Sequence, residues 1–151
     1  MEKMILKLVY LISMLFLVIT GFGQMPIFKR YYIADIPGLA WLAHFYTTHI
    51  LHYLSAMVLT GLIFYIVFDT IFNKEKSIKL VPSVSAKLVM ILVLIITGVP
   101  MMIKNFTGTP FSPNLIIVLD LTHILFCIIF IIYTLHTFLT RQKGIIHHLY
   151  K

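Results

Sequence analysis

Charge is scarce in this chain. Only 11% of its 151 residues are charged, and just five are acidic. A soluble domain of that length needs a polar surface, and too little polar material is present to build one. The shortage of carboxylates also argues against a proton-driven transporter, which needs an ionisable group near the membrane midplane. Asp69 and Asp120 fall toward the ends of apolar runs instead. A single cysteine, Cys127, excludes a disulfide within the chain, and its place inside an apolar run marks it as a small packing residue. No phosphate-binding loop, nucleophile–base pair or cysteine-rich cluster is present. The alternating pattern of a membrane β-barrel is missing, and no internal repeat, low-complexity tract or soluble domain is visible.

What the chain has is apolar length. It is 60% hydrophobic, with a mean hydropathy of +1.00. The apolar residues gather into four runs, roughly Met4–Gly21, Trp41–Phe72, Val84–Ile103 and Leu115–Leu139. Each approaches or exceeds the ~20 residues that cross a ~30 Å hydrocarbon core. In lipid every backbone N–H and C=O must be satisfied within its own segment, so the runs should be helices. The expected fold is all-α: a single transmembrane domain over residues 1–151, an integral membrane four-helix up-and-down bundle. Its helices should cover about 4–21, 38–72, 84–103 and 115–139.

The basic residues set the topology. Lys3 and Lys7 precede or open the first run, while Lys74, Lys76, Lys79 and Lys87 fall around the middle connection. Arg141, Lys143 and Lys151 follow the fourth run, and the other two connections carry only Lys29, Arg30 and Lys104. By the positive-inside rule both termini and the middle connection are cytoplasmic, which four crossings allow. The net charge of +7 is then explained by anionic lipid, without nucleic acid. A basic start before an apolar stretch also describes a signal peptide, with Gly21 and Gly23 as small residues for cleavage. The stretch exceeds the usual ~7–15 residues of a signal core, so a retained helix is expected.

Proline and glycine mark the connections. Pro37 suits the first turn of the second helix, where no N–H is needed. Trp41, Phe45 and Tyr46 read as an aromatic belt at the outer interface. Pro100 should close the third helix, and the segment TGTPFSPN should turn the chain into the fourth.

Seven histidines stand out against this background. His147 and His148 lie in the polar tail. His44, His49 and His52 fall on the second run, and His123 and His136 on the fourth. An ionisable residue inside a membrane helix points to function, and imidazole is a usual axial ligand of haem iron. At 1.5 Å per residue, His52 stands about 30 Å above the inner end of its helix and His123 about 25 Å above the inner end of its own. A haem held edge-on between the two could take His52 on one face and His123 on the other. Ser55 and Ala56 leave room beside His52 on the same face. His136, about 6 Å from the inner end, suggests a second haem level. His49 lies about 60° around the helix from His52, so the ligand of the second helix is one of those two.

Three segments, LHYLSA around His52, SAKLVMILVLIITG in the third run and THILFCIIFIIYTLH in the fourth, resemble in order the cytochrome b subunits of membrane-bound formate dehydrogenases and nickel–iron hydrogenases. The likeness covers nearly the whole chain in layout, through short and degenerate motifs. It implies His52 and His123 as ligands of an outer haem b and His136 as one ligand of an inner haem b. The family's first helix normally supplies the other inner ligand some way before a Thr-Gly pair. Here Thr20 and Gly21 fit that pair, yet the first run holds no histidine. Lys7 falls near the vacant place and reads as a snorkelling side chain; Met14 is a further candidate. One or two haems therefore remain open.

The resemblance implies a subunit of the cell's inner (plasma) membrane that carries electrons between an extracytoplasmic redox partner, an iron–sulfur or multihaem protein, and the quinone pool. A menaquinone or ubiquinone site would lie near His136 and Asn73. His49 would serve as a propionate contact, a proton relay or the alternative ligand. Lys29 and Arg30 would contact propionates or an acidic partner, and His44 would be structural. Competing readings are a haem-free membrane anchor, a stand-alone superoxide–quinone oxidoreductase cytochrome, and a metal-ion carrier built on His44, His49 and His52.

Overall fold

In a computed structural model, residues 2–25, 27, 31–72, 82–105 and 111–140 are described. Asn73, Lys29, Arg30, His147 and His148 lie outside them. The described residues are helical apart from turns and bends, with no β-strand. Among the described residues, four helices are long and apolar enough to cross a membrane: α1 (Glu2–Gly23), α2 (Phe45–Phe72), α3 (Pro82–Ile103) and α4 (Pro113–Leu139). They fall into two compact units, residues 1–72 with α1 and α2 and residues 73–151 with α3 and α4.

In the first unit, α1 and α2 pack as a hairpin. The expected opening of α2 at residue 38 is not what forms. Short 3-10 turns at Ile33–Asp35 and Ala40–Ala43 precede it, and the α-helix starts at Phe45. Gly38 explains the break, because its φ of +88° is left-handed and incompatible with a continuous right-handed helix. Pro37 therefore sits in the connection, before the 3-10 turns, and not in a first helical turn. The Ala40–Ala43 turn presses onto the end of α1. A Cβ on Gly23 would come within 3.1 Å of the buried Leu42 side chain, so a larger residue there would require Leu42 to give by a few tenths of an ångström.

In the second unit, α3 and α4 run antiparallel. Lys87, near the start of α3, meets Thr137, near the end of α4. Lys104, just past the end of α3, meets Asp120 in the first half of α4. The start of α4 is readable in its residues: Pro113 occupies the first turn, and the Ser112 side chain accepts a hydrogen bond from the Leu115 N–H at 3.4 Å. Pro100 does not close α3. The helix continues to Ile103, because a proline this near the end forfeits one backbone hydrogen bond while the Lys104 N–H still reaches the Pro100 carbonyl at 2.9 Å.

The distribution of side chains suits lipid. Large apolar residues such as Met4, Leu15, Phe64, Ile96, Ile117 and Ile132 are exposed along all four helices. Ser13, Thr20, Thr48, Ser83, Lys87, Thr97 and Thr137 are buried. In water this pattern would be inverted. Between helices in hydrocarbon there is little hydrophobic drive, so small and hydroxyl side chains occupy the contacts and bond across them.

Candidate functional site: two tethered histidines

The two hairpins share one local device. In the first, Thr20 of α1 is fully buried and its Oγ1 lies 3.0 Å from Nδ1 of His52 on α2. In the second, Thr97 of α3 is buried and its Oγ1 lies 2.8 Å from Nδ1 of His123 on α4. A glycine follows each threonine, and each glycine lies beside the same ring. A Cβ on Gly21 would sit 3.5 Å from His52 Cε1, and one on Gly98 would sit 3.3 Å from His123 Cε1. The glycines thus let the imidazole edge approach the backbone of the partner helix.

Each threonine is itself held. Thr20 Oγ1 donates to the Phe16 carbonyl at 2.5 Å, one turn back on α1. Thr97 Oγ1 donates to the Val93 carbonyl at 2.8 Å, with Leu94 at 3.2 Å as a second acceptor. A threonine that bonds back to its own helix has its rotamer set, so it aims its oxygen at a fixed point on the neighbour. The unit is Ile-Thr-Gly on one helix, at 19–21 and again at 96–98, with a histidine on the next. This is a local repeat that sequence reading passed over, because three common residues in an apolar background carry no signal until their partners are known.

The structure places the remaining histidines differently. His49 turns to its own helix: Nδ1 lies 2.8 Å from the Phe45 carbonyl, and its ring packs against Phe45, tilted by 31° with centroids 3.9 Å apart. It also lines an open pocket of about 260 Å³ with Gln24, Leu42, Phe45 and Thr48. His52, by contrast, reaches across to α1. Of the two candidates on α2, it is the one held between helices. His44 is exposed at the 3-10 turn, and His136 is exposed on the last turn of α4, where its carbonyl receives the Thr140 N–H at 2.9 Å. Lys7 is exposed, and Met14 and Cys127 are half-buried.

Among the described residues no three His, Cys, Asp or Glu side chains come together as a metal cluster, so His44, His49 and His52 do not form one. A haem makes a smaller demand, one axial imidazole from each face. Residues that suit this demand have the second ring nitrogen engaged by a hydrogen-bond acceptor, which orients the ring and strengthens the ligand. His52 and His123 each have one ring nitrogen, Nδ1, within hydrogen-bond distance of a buried threonine hydroxyl. Compared with protein-family models, curated proteins and solved structures, the chain finds no match.

Two further contacts lie in the second hairpin. Lys87, only 5% exposed, donates from Nζ to Thr137 Oγ1 at 2.6 Å, and its ammonium is 6.0 Å from the centre of the Tyr133 ring. Thr137 gives its own proton to the Thr134 carbonyl at 3.0 Å, which leaves its oxygen to receive the lysine. Lys104 and Asp120 form an ion pair at 2.7 Å. Asp120 precedes His123 by three residues, so the pair sits about one turn from the tethered ring.

Proposed function

We propose that this chain is a b-type haem-binding membrane subunit that passes electrons between an extracytoplasmic redox partner and the quinone pool. The observation that carries the reading is the duplicated tether. Two membrane helices each offer a histidine whose Nδ1 is engaged by a buried threonine of its neighbour. His52 and His123 are the proposed axial ligands. Bound there, a haem would supply reversible one-electron iron chemistry.

The chain's own residues account for the rest of the proposal. Gly21 and Gly98 make space for the rings, Thr20 and Thr97 orient them, and the lipid-facing apolar surface excludes water. His136 is the proposed ligand of an inner haem or, with Asn73, part of a quinone site. The partner proposed is an iron–sulfur or multihaem subunit, as the resemblance to membrane cytochrome b subunits implies.

The test is a dithionite-reduced minus oxidised absorption spectrum of the detergent-purified chain, with pyridine haemochrome quantification. A sharp b-type α band at one or two haems per chain is expected. A colourless protein, expressed with ample haem and its native partners, overturns the reading. The Thr–His bonds would then act only as helix bridges, as a haem-free membrane anchor would use them.

A further inference from the structure

We infer that Thr20 and Thr97 are positioning residues that lock His52 and His123 in one tautomer, with the proton on Nδ1 and the ligating lone pair on Nε2. The inference deepens the haem reading and rests on it for its redox consequences, while the tautomer itself does not depend on haem.

The argument is a count of protons. A threonine hydroxyl has one proton and an oxygen that can also accept. Two oxygens at the 2.5 Å of Thr20 Oγ1 and Phe16 O, or the 2.8 Å of Thr97 Oγ1 and Val93 O, need a proton between them. A carbonyl cannot provide it, so the threonine does. Having given its proton away, each Oγ1 can only accept from the imidazole at 3.0 or 2.8 Å. Nδ1 must then carry hydrogen. In a neutral imidazole the other nitrogen, Nε2, then carries the lone pair.

The same count applied twice makes the device general to both hairpins. A buried hydroxyl, a carbonyl one turn back and a following glycine form a socket that accepts an imidazole in one orientation only. Hydrogen bonding at Nδ1 also makes Nε2 a stronger donor to iron, which favours the ferric state. Loss of the threonine should therefore weaken haem binding and raise the midpoint potential. Lys87 and Thr137 show the socket's logic with a different guest: a threonine that gives its proton to a carbonyl and receives an N–H from the neighbouring helix.

The experiment compares the full-length wild type with Thr97→Val and Thr97→Ser in detergent, with circular dichroism to confirm that each variant is folded. Three readouts are taken: haem affinity, the midpoint potential with the low-spin electron paramagnetic resonance signature, and ¹⁵N chemical shifts of the labelled histidine ring nitrogens in the haem-free chain. Thr97→Val should bind haem about ten- to a hundredfold more weakly, the range for losing a bond that orients a ligand. Its potential should rise, and Thr97→Ser should restore both. In the haem-free wild type the His123 ring should be protonated at Nδ1, a signal lost in Thr97→Val while those of His49 and His52 persist.

If wild type binds haem and Thr97→Val matches it in affinity, potential and resonance signature, the positioning role is overturned and the haem reading stands. If wild type binds no haem, the functional reading falls, and the ring nitrogen shifts still decide the tautomer. A His123 protonated at Nε2 in the wild type overturns the inference in either case.

Discussion

Lys87 and Thr137, fifty positions apart, meet at 2.6 Å inside the second hairpin and give a membrane helix pair a buried cation with a hydroxyl as its hydrogen-bond partner. Among the described residues no carboxylate pairs with this lysine. The two partners should therefore respond unequally to substitution. Removing the lysine takes away a charge and its need, so Lys87→Met should cost little. Thr137→Val leaves the ammonium buried without its acceptor and should destabilise the hairpin by about 1–3 kcal/mol. Thermal unfolding of both variants in the same detergent checks the order; a Lys87→Met variant that melts lower than Thr137→Val contradicts it.

The glycines beside the histidines should differ in tolerance. At Gly98 an added Cβ meets His123 at 3.3 Å, tighter than ordinary contact, whereas at Gly21 it meets His52 at 3.5 Å. Replacing a helical glycine by alanine otherwise gains about 1 kcal/mol in helix propensity. Gly21→Ala should be neutral or slightly stabilising, and Gly98→Ala should lose that gain by pushing the ring off Thr97. Melting temperatures and haem content of the two variants separate the cases.

The histidines themselves should sort into two classes. His52→Ala and His123→Ala should each abolish or weaken the b-type α band of the proposed haem. His49→Ala should retain it, because that ring is engaged by the Phe45 carbonyl and packed against the Phe45 ring of its own helix. Loss of the band in His49→Ala with retention in His52→Ala would reverse the assignment on α2.

The Lys104–Asp120 pair should matter less than its 2.7 Å separation suggests. The side chains are 19% and 39% exposed, so solvent and headgroups screen them. A double-mutant cycle with Lys104→Met and Asp120→Asn should give a coupling of about 0.2–1 kcal/mol that shrinks with added salt. A coupling of several kcal/mol, unchanged by salt, would show that the pair is sequestered.

The number of helices and their ability to span a membrane were legible in the chain alone, because a hydrocarbon core of fixed thickness admits only long apolar helices. The opening of α4 came within two residues: the turn TGTPFSPN and a start near 115 were expected, and the helix begins at Pro113 behind the Ser112 cap. The opening of α2 was not: Pro37 suggested a helix start, and the left-handed turn at Gly38 overruled it. His123 and the pair His49 and His52 could be picked out as candidates from scarcity and depth, but the choice between His49 and His52 could not be made. These helices are apolar nearly all round, so the 3.6-residue pattern marks no inner face and leaves helix rotation unspecified. Packing decides rotation, and rotation decides which hydroxyl faces which imidazole. That is why Thr97, ordinary in sequence, became a partner of His123 only when α3 and α4 came together.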